Sequence, residues 1–264
     1  AARVERSTLS GPIVFAAAPF YALEDAAQVL TGWHAFVGTA PDEISSLVVT
    51  YIVPDDPHFP AAHRGKPAII LPTVYTGDPA EGERILQPLR ELATPMVDMS
   101  GAYPFTVLQS LFDPFFPVGL HYYWKGLFQN DLSAESMEAI IDLMLTRPTP
   151  ITGVGVWQLG GAMARVPADA TAFGSRSAPY LLTLEATWSD SADDERCIAW
   201  VRNGWDAMHR FGPGGLYLNF AGFGEEKEAL VKAAYGDNYP RLQEIKAKYD
   251  PANLFHMNQN VKPS

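Results

Sequence analysis

Leu47-Val48-Val49-Thr50-Tyr51-Ile52-Val53 is a run of β-branched and aromatic residues that reads as a strand. A Pro- and His-rich loop over residues 54–66 follows it. Ala68-Ile69-Ile70-Leu71-Pro72-Thr73-Val74-Tyr75 is a second strand. Pro72 breaks it, and because proline has no N–H for the ladder, an edge position or a bulge is expected there. Asp78-Pro79-Ala80-Glu81 then opens a helix, with Asp as the cap and proline just inside, running to about Leu92. Two strands running directly into a helix are the unit from which the rest of the chain is read.

Upstream, residues 11–20 form a buried strand around Ile13-Val14-Phe15. Residues 23–36 carry Ala26, Val29, Leu30, Trp33 and Phe36 at helical spacing. Downstream the rhythm repeats. Residues 120–128 are an aromatic strand. Ser133 caps a helix whose apolar face is Met137, Ile140, Ile141 and Met144. Residues 151–159 and 179–188 are strands, the first ending at Gly160-Gly161. Ser191-Ala192-Asp193-Asp194 reads as a capping-box variant before a helix that buries Ile198, Val201, Trp205 and Met208. That helix stops at Gly212-Pro213-Gly214-Gly215. A short strand at 216–220 and short helices around Leu230 and Leu242 complete the chain. Strands paired between helices predict an α+β fold: a mostly antiparallel β-sheet with helices on one face, plus a short C-terminal helical segment.

Composition narrows the function. The 264 residues are 47% hydrophobic and 19% charged, with a net charge of −11. The 19 basic residues are scattered, which argues against nucleic acid and against an anionic membrane. No apolar run approaches the ~20 residues that a membrane span needs. One cysteine, Cys197, excludes a disulfide framework and a multi-thiolate zinc site. It reads as a buried, inert thiol, and a single thiol suits the cytosol. No metal site is expected: the six histidines never pair at i, i+4, and His58 and His63 lie in the Pro-rich loop. The chain has no phosphate-cradling glycine motif, no nucleophile elbow and no H-E-x-x-H. Ala1-Ala2-Arg3-Val4-Glu5-Arg6 shows neither an initiator Met nor the apolar stretch of a signal peptide.

The closing segment carries the most specific pattern. It contains Tyr217-Leu218-Asn219-Phe220. Tyr235-Gly236-Asp237-Asn238-Tyr239-Pro240-Arg241-Leu242 follows, then Ile245-Lys246-Ala247-Lys248-Tyr249-Asp250-Pro251-Ala252-Asn253-Leu254-Phe255, then Asn258-Gln259-Asn260. These pieces, in this order, resemble the terminal segment of the berberine-bridge-enzyme-like FAD-linked oxidases. Tyr122-Tyr123-Trp124-Lys125, Leu159-Gly160-Gly161-Ala162, residues 164–173 and the helix from Ala199 to Trp205 resemble that family's substrate domain.

The resemblance implies a substrate-binding domain over residues 1–213 and a berberine-bridge-like segment over 214–264. In the family an FAD-binding domain precedes these and carries the flavin attachment residues, so the chain reads as the substrate-side half. FAD is the implied cofactor, and its attachment residues are not in this chain. The partners implied are a small-molecule substrate and an FAD-binding domain, in cis or in trans. Self-association through the face left exposed is a further expectation.

The resemblance also proposes site residues. Tyr217 becomes the catalytic base that takes a substrate hydroxyl proton while hydride passes to the flavin. A phenol, with an ordinary pKa near ~10, needs help to act so. Tyr217 and Asn219 share a strand face, since alternate residues do. Asn219, Asn258 and Gln259 are read as cofactor-binding amides. Thr183 and Trp157 are read as substrate-binding, on neighbouring strands. Thr183 stands where relatives often carry Gln, Asn or Glu, and residues 173–176 (Phe-Gly-Ser-Arg) depart from the common Phe-Pro-His-Arg. Tyr235, Tyr239 and Tyr249 read as packing residues, and Arg241, Lys246 and Lys248 as a solvated face. The function implied is an FAD-dependent oxidoreductase (oxidase) removing hydride from an alcohol, sugar or small natural product. The alternative is a non-catalytic binding domain or an inactive fragment.

Overall fold

The computed structural model describes residues 11–213, 215–222, 227–257 and 259–264. The chain divides between Leu120 and His121 into two compact units.

The first unit contains β1 (Ile13–Ala17), β2 (Pro19–Ala22), α1 (Ala26–Val37), β3 (Ile44–Ile52), β4 (Pro67–Ile70), β5 (Thr73–Tyr75) and α2 (Pro79–Arg90). The short β6 (Val97–Asp98), β7 (Gly101–Pro104) and α3 (Phe105–Leu108) follow. Every strand pairing described within it is antiparallel. β4 and β5 are one strand interrupted at Leu71-Pro72. Ile70 lies opposite Val49 and Thr73 opposite Ser46, so β3 reads the same register across the break. β1 and β2 likewise continue one another, with Phe15 opposite Tyr75 and Phe20 opposite Ile70.

Pro72 therefore breaks the strand as expected, but in the sheet interior and not at an edge. The sheet accommodates it because the neighbouring rows break beside it. Leu47 donates to the Pro72 carbonyl at 3.0 Å, Leu71 to Pro19 at 3.3 Å and Met99 to Ala18 at 3.1 Å. Ser100 Oγ takes the Ala18 N–H at 3.0 Å. Backbone groups freed by the interruption are thus satisfied within it.

The two sheet faces are packed differently. Val29, Leu30 and Trp33 of α1 are fully buried, as are Leu86 and Leu89 of α2. The Trp33 indole donates to Ser46 Oγ at 2.7 Å. The other face holds Leu47, Val49, Tyr51 and Val53 under Phe59, Phe112, Phe115 and Phe116. α2 starts as its sequence predicts: Asp78 accepts from the Ala80 and Glu81 amides at 3.0 and 3.2 Å.

The second unit contains β8 (His121–Gln129), α4 (Ala134–Thr146), β9 (Gly153–Gln158), α5 (Gly161–Arg165), β10 (Tyr180–Trp188), α6 (Asp194–Met208), β11 (Leu216–Ala221), α7 (Lys227–Tyr235) and α8 (Tyr239–Tyr249). Its strands run in the order β11-β8-β10-β9, all antiparallel. β10 is the centre, and all its residues are buried. One face of β10, with Leu182, Leu184 and Ala186, meets α6, whose Gly204 lies close to both Leu143 of α4 and Leu184. The fold is thus α+β with a mostly antiparallel sheet, as the element order predicts, and α7 and α8 form the C-terminal helical segment.

Ser133 caps α4 as expected, accepting from Ser136 at 3.2 Å. The capping box read at Ser191 is not formed. Asp190 accepts from the Ala192 amide at 2.9 Å, and Ser191–Asp193 is a single 3-10 turn ahead of α6. The turn moves the start of α6 to Asp194, with Asp193 at its N-cap, so Ser191 does not stand at the capping position. Cys197 is fully buried, and burial pushes its thiol up, in keeping with an inert role.

Candidate functional site

The site is built on the open face of the second unit's sheet. Side chains alternate along β10, so Leu181, Thr183 and Glu185 point away from α6. Leu181 stands between Phe128 of β8 and Trp157 of β9. Thr183 stands between Gly126 and Gly155, and Glu185 between Trp124 and Gly153. The face thus has an apolar aromatic end and a polar row floored by glycine.

The apolar end opens into a cavity of about 390 Å³, within the range of small-molecule sites. It is lined by Phe128, Trp157, Leu159, Met163, Phe173, Leu181, Tyr217 and Phe220. Phe128 meets Phe173 and Tyr217 edge-on, with ring centres 6.1 and 6.3 Å apart. Tyr217 meets Phe220 edge-on at 5.4 Å.

Tyr217 and Phe220 are three apart and cannot share a face of a regular strand. They do so because β11 is bulged. Leu216 pairs with Leu127 and Ala221 with Lys125, so extra residues of β11 lie between the two pairings. Gly212 permits the approach: a Cβ there would stand 2.1 Å from the Phe128 carbonyl oxygen.

Polar groups around the cavity are few and mutually engaged. The Asn219 side-chain amide donates to the Tyr217 hydroxyl oxygen at 2.8 Å. Trp157, 38% exposed, donates its indole N–H to Thr183 Oγ1 at 3.2 Å. Thr183, fully buried, donates to Glu185 Oε1 at 2.7 Å, and the Glu185 residue is 5% exposed. Gly155 keeps this row possible, since its Cβ would lie 2.5 Å from Thr183 Oγ1.

Met163 of α5 and Phe173 of the loop after it are clamped by Arg176. Its guanidinium donates to the Phe173 and Met163 carbonyls at 3.1 and 3.2 Å and to Thr171 Oγ1 at 2.7 Å.

The structure places Tyr217 and Trp157 in the cavity wall and Asn219 on the Tyr217 hydroxyl. Thr183 is not in the wall; it lies behind Trp157 and orders the indole. Gln259 donates to the Leu218 carbonyl at 3.3 Å, beside β11. Asn258 lies outside the described residues. Glu185, on the strand over residues 180–185 that the resemblance places at the substrate pocket, shares this face by alternation with Leu181 and Thr183. Leu159 and Phe220 lay within the stretches that carry the resemblance, but Phe128 and Met163 carried no signal of their own, because apolar residues at strand and helix positions read first as core.

The terminal motif has a local physical meaning. Asp250 accepts from the Leu254 and Phe255 amides at 2.7 and 3.0 Å. The Lys246 ammonium, at 2.5 Å, holds the Asp250 carboxyl below the usual range. Asn253 takes a left-handed φ of 50°, which asparagine tolerates better than most residues. Lys246 is therefore a turn-closing residue and not part of a solvated face. Tyr239 is buried as a packing residue, but Tyr249 is not: it stands exposed with Leu254, Phe255 and Met257. Among the described residues no group of three or more metal-ligating side chains occurs, and no helix is long and apolar enough to cross a membrane.

Comparison with known proteins follows the same geography. Residues 216–262 match the family model "Berberine and berberine like", which spans β11 through the Asp250 turn. An FAD-linked oxidoreductase of Dictyostelium discoideum is 26% identical over 238 residues, 89% of this chain and 48% of that protein. An uncharacterized FAD-linked oxidoreductase of Bacillus subtilis is 37% identical over 105 residues, 40% of this chain and 23% of that one. The solved structure of BBE-like #28 from Arabidopsis thaliana superposes with a TM-score of 0.76 at 15% identity, over 96% of this chain and 57% of that one. That likeness concerns the fold. The chain spans about half the length of the relatives that it matches most extensively. The terminal segment thus matches the berberine and berberine like family model, and the chain as a whole is similar to part of the FAD-linked oxidoreductases that carry it.

Proposed function

We propose that this chain forms the substrate-facing part of an FAD-dependent oxidase acting on a small hydroxyl-bearing molecule. The observation that carries the reading is the Tyr217 hydroxyl, at the wall of an aromatic cavity, with Asn219 donating to its oxygen at 2.8 Å. The Asn219 bond fixes where that oxygen stands in the cavity wall. With its own proton first passed to water, the Tyr217 oxygen would take the hydroxyl proton of the substrate while the hydride of the adjoining C–H bond goes to the bound flavin. Trp157, pinned by Thr183, holds one wall of the cavity, and the apolar lining excludes water from the reacting carbon.

Asn219 of β11 and Gln259 beside it, both exposed, are the amides that would hold the ring end of a flavin. FAD, when bound, supplies the two-electron acceptor. Its FAD-binding domain, in cis or in trans, is the proposed partner. Exposed Leu254, Phe255 and Met257 support a covering surface on the terminal segment.

The test is anaerobic bleaching of the visible flavin band in this chain supplied with a family FAD-binding domain, fused or added. An alcohol substrate bleaches it, and Tyr217→Phe slows bleaching by about 10²-fold or more. Unchanged bleaching by Tyr217→Phe would remove Tyr217 from the role. Failure to hold flavin in any arrangement would leave the non-catalytic binding domain.

A further inference from the structure

We infer that Asn238, with Arg241 beside it, is a positioning residue of the site: it holds the strap of residues 166–176 by the backbone and so keeps Phe173 in the cavity wall. This rests on the cavity proposed above as the ligand site. The strap lies between α5 and β10 and forms neither helix nor strand. Residues 167–172 are all exposed, so little apolar burial holds it. Its carbonyls have no ladder to enter, and side chains of the terminal segment take three of them.

Asn238 closes the 3-10 turn Gly236–Asn238 ahead of α8 and is 9% exposed. Its Nδ2 donates to the Ala168 carbonyl at 2.8 Å and to the Thr171 carbonyl at 3.2 Å. A side-chain amide has two N–H donors, and both are spent on the strap. Arg241, three residues on, donates to the Asp169 carbonyl at 2.9 Å. The approach is close: a Cβ on Gly174 would stand 3.2 Å from Asn238 Nδ2.

From Thr171 the hold passes to the cavity. Thr171 Oγ1 accepts the Phe173 N–H at 3.3 Å and the Arg176 guanidinium at 2.7 Å. Arg176 in turn grips the Phe173 and Met163 carbonyls. The Phe173 ring thus stands edge-on to Phe128 in the wall. Close packing does not set this spacing instead. A second cavity, of about 160 Å³, lies between the strap and α8, with Thr171 on one side and Leu242 and Ile245 on the other.

The test uses the 264-residue chain without flavin. Amide hydrogen exchange is followed over residues 166–176, with 180–188 of β10 as the reference. Methyl-labelled methionine reports the wall, because Met163 lines the cavity with Phe173, whereas Met208 is buried in α6. Asn238→Asp keeps the size of the side chain and removes both donors. It is expected to speed strap exchange about tenfold and to move the Met163 methyl resonance, with β10 and Met208 unchanged. Asn238→Ala should do the same. Arg241→Ala, at an exposed position, should speed strap exchange a few-fold and decides the matter if the Asn238 variants do not fold. Wild-type strap exchange in these variants would overturn the inference. So would a rise shared equally by β10, which marks general destabilisation, or a loosened strap with the Met163 resonance unmoved. Flavin enters neither readout, so a chain that fails to hold flavin counts against the oxidase reading alone.

Discussion

Asn219 and Tyr217 form a side-chain pair on β11, the Asn219 amide donating to the tyrosine hydroxyl oxygen at 2.8 Å. Asn219 itself is exposed and lines no part of the cavity, so its contact with the site is this one bond. In the flavin-loaded protein, Asn219→Ala should lower kcat about fivefold to tenfold, the value of one hydrogen bond, with KM changed less. Steady-state kinetics with Asn219→Ala beside Tyr217→Phe checks this. A double variant no slower than Tyr217→Phe alone is the expected signature of a shared role.

The Trp157–Thr183–Glu185 row predicts a stability effect. Thr183→Val keeps the shape but removes a hydroxyl that both accepts from the indole and donates to the Glu185 carboxylate. Glu185 is nearly buried, so losing that donor costs about 1–3 kcal/mol. Thr183→Ser, which keeps the hydroxyl, should cost less. Urea midpoints of the two variants decide, and equal midpoints would mean that the hydroxyl contributes nothing.

Glycines at close approaches should differ by what they touch. A Cβ at Gly212 meets the Phe128 carbonyl oxygen at 2.1 Å, and backbone cannot swing aside. A Cβ at Gly204 meets methyl groups of Leu143 and Leu184 at 2.7 and 3.0 Å, which can. Gly212→Ala is therefore expected to destabilise by about 1–3 kcal/mol, more than Gly204→Ala. Urea denaturation of the two variants side by side tests this.

The chain end carries a pH-sensitive tie. Lys262, and then Lys232, hold the Glu228 carboxyl down to about 2. A depressed folded value stabilises above the ordinary carboxylate range near ~4.3 and is lost as pH falls from there through about 2. The contact of Lys262 with α7 should loosen over that window and in high salt, because the pair is exposed. Carboxyl-detected NMR of Glu228 follows it. Glu228→Gln should remove the pH dependence of the Lys262 signals.

Much of this was legible in the sequence because it depends on local chemistry. Period-2 and helical patterning, the Asp78-Pro79 helix start and the Ser133 cap act within a few residues of themselves. The terminal motif was legible for the same reason. Asp250 binds amides four and five residues on, and Asn253 takes a conformation that its own side chain tolerates. The failures also have local causes. At Ser191 a 3-10 turn precedes the helix, so Ser191 does not stand at the N-cap of α6. At Pro72 the single-strand rule did not foresee neighbouring rows breaking at the same place.

The amino-acid sequence alone determined the α+β class, the helix starts, the inert cysteine and the kinship of the terminal segment, since each rests on short-range propensity, capping or ordered motifs. Only tertiary structure decided the site. The β11 bulge brought Tyr217 beside Phe220, Gly212 let β11 close on Phe128, and the β9–β10 register set Thr183 behind Trp157. Those are relations between residues distant in the chain, fixed by strand register and close packing, and no spacing within a single strand encodes them.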